Sequence, residues 1–374
     1  MKVAIDSRSA TLHEGSGIGT YTKNLVSNLI NNIDSNFNLI WTGVYDNTLT
    51  ANNCTVFYSS GKHSLFYEIN YIPNLLQQEG IDLYHIPQNG IGFPFSWDLN
   101  VVVTIHDLIP YNMPETVGPS YLERFFRDIP NIISNSKGII TVSEYSKKDI
   151  LRFFPNCPAD KIYVTPLAAN NNFKPIPKSK CKECLKNNYN ITDPYILYLG
   201  GFSSRKNVLG LIHAFRNIIK DLKKPHKLLL GGSIKDEGLL LKEYVHTNGL
   251  DKDVIFTGYL NDIDLPLFYN GCEAFVYPSL YEGFGLPPLE AMSCRKPVIT
   301  SNITSIPEVT LDSAILIDPL NIDELSSSIL TLLNSEDLKE EFSEKGYKRS
   351  LQFSWRQTAI DTFDAYKSIH ETLI

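Results

Sequence analysis

The sequence predicts an α/β protein made of two doubly wound domains, and three observations carry that reading. Short β-branched runs without strict polar alternation recur along most of the chain, as strands buried on both faces of a parallel sheet do. Helical periods such as Tyr21–Ile30, Val208–Ile219 and Ile322–Leu333 lie between them. Strand–helix alternation over this span is the pattern of a doubly wound sheet. The chain has 374 residues, which at roughly 100–200 residues per domain favours two domains.

In the first half, strands are expected at Lys2–Asp6, Leu39–Val44, Asp82–His85, Val101–Ile105, Gly138–Val142 and Lys161–Thr165. In the second they are expected at Tyr195–Leu199, Lys227–Leu230, Val254–Thr257, Ala274–Tyr277, Pro297–Thr300 and Ala314–Ile317. Composition shifts at Asn170–Asn190, where Asn, Pro and Lys without apolar periodicity read as a linker. The expected division is therefore a first domain over 1–170, a linker over 171–190 and a second domain from 191. Open α/β sheets bind ligands outside the carboxyl ends of their strands. Two such domains facing one another are expected to form a cleft with one substrate on each side.

Lys and Arg number 34 against 41 Asp and Glu, a formal net charge of −7. Nucleic-acid binders take most of their affinity from phosphate contacts made by basic residues, so nucleic acid is not an expected partner. No run approaches the ~18–20 continuous apolar residues of a spanning helix, and MKVAIDSRSATLHEGSG has no signal-peptide apolar region. The expected location is cytoplasmic. The six cysteines do not read as a disulfide framework in a chain of this size. Cys181 and Cys184 have CxxC spacing but no second pair or nearby His pair to complete a zinc site. No metal is expected.

The most informative stretch is Tyr277-Pro-Ser-Leu-Tyr-Glu-Gly-Phe-Gly-Leu-Pro-Pro-Leu-Glu-Ala-Met292. A strand enters a glycine turn carrying Glu282, and Pro287-Pro288 suits the first turn of a helix carrying Glu290. A helix N-terminus aims backbone N–H groups and a partial positive charge at an anion. Gly283 and Gly285 let the backbone approach a ligand closely. The plain alternative is a glycine turn with a solvated Glu and a first-turn Glu favoured by the helix dipole.

Further pieces fall at strand ends. Leu199-Gly-Gly-Phe-Ser-Ser-Arg-Lys-Asn207 places Arg205 and Lys206 in a strand-to-helix loop. Two cations there can neutralise a diphosphate, Arg in a fork and Lys as a point charge. His106 and Asp107 end the strand in Val103-Thr-Ile-His-Asp-Leu-Ile109. There His106 can donate to a sugar hydroxyl or handle a proton, while Asp107 suits a helix cap. Gly17 and Gly19 sit in Glu14-Gly-Ser-Gly-Ile-Gly-Thr-Tyr21, too far from the first strand for a dinucleotide fingerprint. That counts against a dehydrogenase. Ser143 reads as a helix cap.

The Tyr277–Met292 stretch resembles the Glu-x7-Glu motif of retaining glycosyltransferases of family 4, and the other pieces follow in family order. The resemblance implies a GT-B fold, two Rossmann-like domains facing across a cleft. It implies that Glu282, Gly283, Phe284, Gly285 and Leu286 contact the donor sugar and that Glu290 binds the nucleotide ribose. Lys206 matches the lysine of the family's diphosphate clamp. Gly201 stands where many members carry the arginine, and Arg205 is expected to supply that cation instead. His106 is placed beside the transferred sugar, and Gly17 and Gly19 are placed in a loop closing over donor and acceptor. Phe353-Ser-Trp355 and the tail resemble a terminal crossover, so 355–374 is expected to return to the first domain.

The implied reaction is retaining transfer of a hexose from a nucleotide diphosphate sugar to a saccharide or lipid-linked acceptor, in bacterial surface polysaccharide or glycoconjugate synthesis. Front-face attack is implied, with the leaving phosphate accepting the acceptor's proton. Cations from the protein stand in for a metal, and no cofactor is expected beyond the donor co-substrate. The variants Thr104-Ile-His-Asp-Leu and Arg205-Lys-Asn tilt the donor toward GDP-mannose over a UDP-sugar. The rival readings are a non-catalytic two-domain binder of sugar or nucleotide-sugar and a GT-B nucleotide-sugar epimerase. Tyr121–Ile133 is amphipathic and is read as a helix packed on its own domain. Peripheral docking at the inner face of a membrane is the alternative for it.

Overall fold

A computed structural model of the chain describes residues 1–43, 54–60 and 63–374. Its contacts divide it into two compact units, Met1–Leu167 with Ser354–Ile374, and Ala168–Phe353. The first unit carries β1 (Val3–Asp6), β2 (Phe37–Thr42), β3 (Cys54–Ser59), β4 (Leu83–Ile86), β5 (Val101–Ile105), β6 (Gly138–Thr141) and β7 (Ile162–Val164). They form one parallel sheet in the order β3-β2-β1-β4-β5-β6-β7. The second unit carries β8 (Tyr195–Leu199), β9 (Lys227–Gly231), β10 (Val254–Gly258), β11 (Ala274–Tyr277), β12 (Val298–Ser301) and β13 (Ile315–Ile317), ordered β10-β9-β8-β11-β12-β13. This sheet too is parallel.

Each sheet reverses its winding beside its first strand, at β1/β4 and at β8/β11. That switch point is where such sheets bind ligands. The central strands β1, β4, β5, β8, β11 and β12 are buried at every residue, which is why their sequences run apolar without alternation.

The sequence reading missed β3. It is an edge strand with mixed exposure and Tyr58 open to solvent, so its apolar signal is diluted. Val44, the last residue of the expected second strand, lies outside the described residues. The stretch 171–190 also differs from expectation: Lys178–Tyr189 is a helix within the second unit rather than linker throughout. Cys181 and Leu185, four residues apart, form its narrow buried stripe among lysines, too little for a visible period. Cys181 is a buried free thiol, and among the described residues the cysteines form no disulfide.

Helix Trp355–Glu371, capped by Ser354, packs on helix Gly17–Asn32 within the first unit. A side chain at Gly138 in β6 would run into Ile369 of this helix. Tyr366 reaches into the sheet, its hydroxyl 2.6 Å from His85 Nδ1. Among the described residues, no helix is long and apolar enough to cross a membrane.

Candidate functional site

At the β8/β11 switch point, the adjacent Arg205 and Lys206 meet Glu282, which lies 77 and 76 positions further along the chain. β8 ends at Leu199, and the following loop makes one 3-10 turn, Ser204–Lys206, before helix Val208–Ile218. β11 ends at Tyr277 and leads through Ser279 and Glu282 into helix Leu286–Ser293. Lys206 Nζ donates to Glu282 Oε1 at 2.6 Å, and Arg205 Nη1 donates to the same oxygen at 3.2 Å. Arg205 Nη1 also donates to the Tyr281 carbonyl at 2.8 Å.

Two residues that the sequence reading did not single out complete this cluster. Tyr277 donates its hydroxyl to Glu282 Oε1 at 3.1 Å and accepts from Lys206 Nζ at 2.5 Å. Ser279 Oγ donates to the same carboxylate oxygen at 2.5 Å. Both lie within five residues of Glu282, but only strand direction and burial bring their hydroxyls onto it. Burial pushes the Glu282 carboxyl up. Lys206 and Arg205, with hydrogen bonds from Lys206 and Ser279, outweigh it and hold the group below the ordinary carboxylate range. The carboxylate therefore stays ionised, and the trio carries a formal charge of 2 − 1 = +1.

Helix Leu286–Ser293 starts with Pro287 and Pro288 in its first turn, where their missing N–H groups cost nothing. Gly285 has φ +111°, and a Cβ there would lie 2.7 Å from Ile306 Cδ1. The backbone conformation requires glycine, and a Cβ would also displace the Ile306 methyl. Phe284 is buried against Phe353, ring centroids 5.9 Å apart, so its side chain anchors the turn. Ser305 Oγ spans the turn, bonded to the carbonyls of Glu282 and Phe284 at 2.9 Å each. Gly283 and Leu286 lie on the same turn and its helix start. Gly201 follows β8, and its carbonyl accepts from the Tyr198 hydroxyl at 2.5 Å.

Glu290 stands apart from that cluster. Its Oε2 accepts from the Tyr269 hydroxyl at 2.8 Å. Burial pushes its carboxyl up to about 8, the Tyr269 hydrogen bond opposes this, and Asp262 adds to it. The two carboxylates of the motif thus differ sharply: Glu282 is held ionised and Glu290 is held largely protonated at neutral pH.

In the first unit, His106 follows β5 directly. Its Nε2 lies 2.8 Å from the Pro87 carbonyl, and its backbone N–H donates to Asn89 Oδ1 at 2.9 Å. Burial lowers its pKa to about 4, with the Pro87 bond opposing, so the ring is neutral at neutral pH. A carbonyl accepts only, so Nε2 carries the proton and Nδ1 is the ring's acceptor. This corrects the expectation that His106 donates to a sugar hydroxyl. The neutral ring's only proton is engaged, and Nδ1 can accept one instead. Asp107 Oδ1 accepts from the Ile109 N–H at 3.0 Å, and Ser143 caps helix Glu144–Phe153 through the Ser146 N–H at 3.0 Å.

The glycine loop is also corrected. Gly17 and Gly19 belong to the first turn of helix Gly17–Asn32, capped by Ser16, whose Oγ accepts from the Gly19 N–H at 3.2 Å. A side chain at Gly19 would run into the His13 carbonyl, so packing explains that glycine, whereas Gly17 has open space. Serine ahead of a helix is a cap signal, and the neighbouring glycines obscured it.

The first unit's switch point carries a polar cluster with no counterpart in the sequence reading. Arg8 grips Asp6 in a fork, Nε to Oδ1 at 2.8 Å and Nη2 to Oδ2 at 2.7 Å. Arg8 Nη1 donates to Glu68 at 3.2 Å, and Gln88 Nε2 donates to Asp6 Oδ2 at 2.7 Å.

Two family profiles match the chain: "Glycosyltransferase Family 4" over residues 16–171 and "Glycosyl transferases group 1" over residues 182–349. The chain is 35% identical over 266 residues to O-antigen chain mannosyltransferase B of Escherichia coli, covering 71% of this chain and 70% of that protein. It is 31% identical over 269 residues to the serotype-specific mannosyltransferase WbdA of Escherichia coli, 71% of this chain but 33% of that longer protein. Among solved structures, sucrose-phosphate synthase from Thermosynechococcus elongatus aligns over 100% of both chains with a TM-score of 0.77 and 20% identity.

Proposed function

The chain belongs to glycosyltransferase family 4 and has the GT-B fold, and on that premise we propose that it transfers mannose from GDP-mannose, with retention, to a saccharide or lipid-linked acceptor. The product would belong to a bacterial surface polysaccharide or glycoconjugate. The relatives' names, both mannosyltransferases, support the sugar.

One observation carries the reading of the donor side. Arg205 and Lys206 converge on a single carboxylate at the β8/β11 switch point, leaving that trio with a positive formal charge where an α/β sheet binds its ligand. A diphosphate supplies the complementary charge. As the anomeric C–O bond breaks, negative charge grows on the leaving diphosphate, and Lys206 and Arg205 stabilise it without a metal. The acceptor oxygen bonds to the anomeric carbon on the same face, and its proton passes to the leaving phosphate oxygen. Glu282, kept ionised, serves the donor sugar as a hydrogen-bond acceptor and stabilises positive charge developing on it. The Glu290 carboxyl serves the ribose. His106 is assigned to the transferred sugar as an acceptor through Nδ1.

The test is thermal stability against GDP, UDP, ADP and their hexose conjugates, followed by release of nucleoside diphosphate in the presence of EDTA. A ligand at 100 times its Kd stabilises by about 2.7 kcal/mol. The expected result is a shift with GDP and GDP-mannose and turnover that survives EDTA. A shift with UDP alone would replace the donor, and loss of turnover in EDTA would overturn metal independence.

A further inference from the structure

Four buried polar side chains of the first unit form one hydrogen-bonded chain from the C-terminal helix to the end of β5. The Tyr366 hydroxyl lies 2.6 Å from His85 Nδ1, and His85 Nε2 lies 2.8 Å from Thr104 Oγ1. Thr104 Oγ1 in turn lies 3.1 Å from the Tyr21 hydroxyl. The Tyr21 ring then packs at 90° to the His106 ring, centroids 4.7 Å apart. We infer that Tyr21 is a positioning residue for His106, fixing the plane of its ring, and that this chain anchors Tyr21 to helix Trp355–Glu371. The inference rests on the transferase reading, which gives His106 its work at the transferred sugar, and deepens it by saying what aims that ring.

Strand alternation brings the parts together. Thr104 lies within β5 and His106 just beyond its end, two residues on, so both side chains leave the same face of the sheet. His85 of β4 pairs with Val102, two residues before Thr104, and joins them on that face. Helix Gly17–Asn32 brings Tyr21, helix Trp355–Glu371 brings Tyr366, and the two helices pack on one another.

The bond from His106 Nε2 to the Pro87 carbonyl holds one atom of the ring. The direction of the Nδ1 lone pair depends also on the ring plane. An aromatic neighbour at right angles, a preferred arrangement for such pairs, sets that plane. Tyr21 can do this only if it is itself held. It sits in the second turn of a helix whose first turn carries Gly17 and Gly19, residues of low helix propensity. The Thr104 bond gives it a fixed point on the sheet.

Packing alone does not call for these groups. Replacing both partners of a buried hydrogen bond by apolar side chains of the same shape is nearly neutral for stability, and β5 is otherwise Val and Ile. What a fully satisfied buried network adds is one rigid arrangement. Burial lowers His85 to about 3, with His106 adding to this and Asp6 opposing, so the ring is neutral. One of its nitrogens donates and the other accepts. The bonds can run from Tyr366 toward Thr104 or the reverse, and both nitrogens are satisfied either way.

The experiment uses the full chain carrying nitrogen-15 in its histidine rings, with and without GDP. NMR reads the His106 ring signals, assigned by their loss in His106→Gln. Tyr21→Leu removes the ring contact and is expected to shift those signals, while those of His213, His226 and His246 in the second unit stay in place. Tyr21→Phe keeps the ring and cuts the bond to Thr104, and Tyr366→Phe cuts the far end. Each is expected to move the same signals in the same direction by less. With GDP-mannose as probe and GDP release as readout, Tyr21→Leu is expected to lower kcat about tenfold at unchanged KM, short of the ~10²-fold that a 1 Å misplacement can cost. The phenylalanine variants keep the core filled, so they carry the test should Tyr21→Leu misfold.

His106 signals that stay in place in the Tyr21 variants overturn the positioning role, as does a raised KM with kcat intact. Signals that stay in place in Tyr366→Phe overturn the anchor on the C-terminal helix. If neither GDP nor UDP stabilises the wild-type chain, the transferase reading fails, and the signals of the GDP-free chain still decide the contact between Tyr21 and His106.

Discussion

Counted within each unit, the second sheet has the strand order 3-2-1-4-5-6 and the first repeats it with a seventh strand added, yet their switch points carry opposite charge designs. At β1/β4, Arg8 is held in a fork by Asp6 and bonded to Glu68, one cation against two carboxylates. At β8/β11, Arg205 and Lys206 share Glu282, two cations against one carboxylate. The same topology therefore builds a closed, self-satisfied cluster in one place and an anion-attracting one in the other. The shared topology thus leaves the charge at the switch point to be set by the side chains that the loops bring there.

The largest expected effect breaks the closed cluster. Arg8→Ala strands Asp6, which is fully buried, and removing one partner of a buried pair costs about 3–5 kcal/mol. Denaturant unfolding measures it, and a loss under about 1 kcal/mol would show that the pair is not structural.

Next comes the open cluster. Lys206→Ala is expected to lower turnover by on the order of 10²-fold, the usual cost of losing one donor to developing charge. Steady-state kinetics with GDP-mannose checks this, and an unimpaired variant removes the clamp.

The units also diverge in pH response. In the first, burial lowers His85 to about 3 and His106 to about 4, from an ordinary 6.5. The unfolded chain then binds more protons, so this contribution to stability is lost as pH falls from 6.5 toward those values. In the second, Glu290 is raised from 4.5 to about 8, so the folded state binds more protons. Its contribution is fully present below about 4.5 and is lost as pH rises through 8. Glu290→Gln should match wild type in melting temperature near pH 5 and exceed it by a few degrees at pH 9. Parallel curves across that range would refute the raised carboxyl.

The smallest effect sharpens the open cluster. Tyr277→Phe removes a hydroxyl bonded to both Lys206 and Glu282, at about 1 kcal/mol for a hydrogen bond. The expected result is a roughly fivefold loss in kcat/KM. A loss as large as that of Lys206→Ala would make Tyr277 part of the clamp rather than its support.

Much of the second unit was legible in the sequence because its signals are local. β11, the glycine turn and the proline helix start lie within twenty residues, and each has its own backbone requirement. The first unit was less legible. Gly17 and Gly19 read as loop although Ser16 caps a helix there, because glycine composition speaks for turns more loudly than one serine does for a cap. The helix Lys178–Tyr189 was hidden because only Cys181 and Leu185 mark its inner face.

By itself, the sequence determined the alternation of strands and helices, the family, and the residue types at the strand ends, since each is written over a few consecutive positions. Tertiary structure alone decided which groups meet. It joined Lys206 to Glu282 across 76 residues, set Tyr269 against Glu290, and engaged the Nε2 proton of His106 at Pro87. Those contacts set the protonation of each group. They depend on burial and on partners brought together by the sheet, and neither is encoded by any short window of the chain.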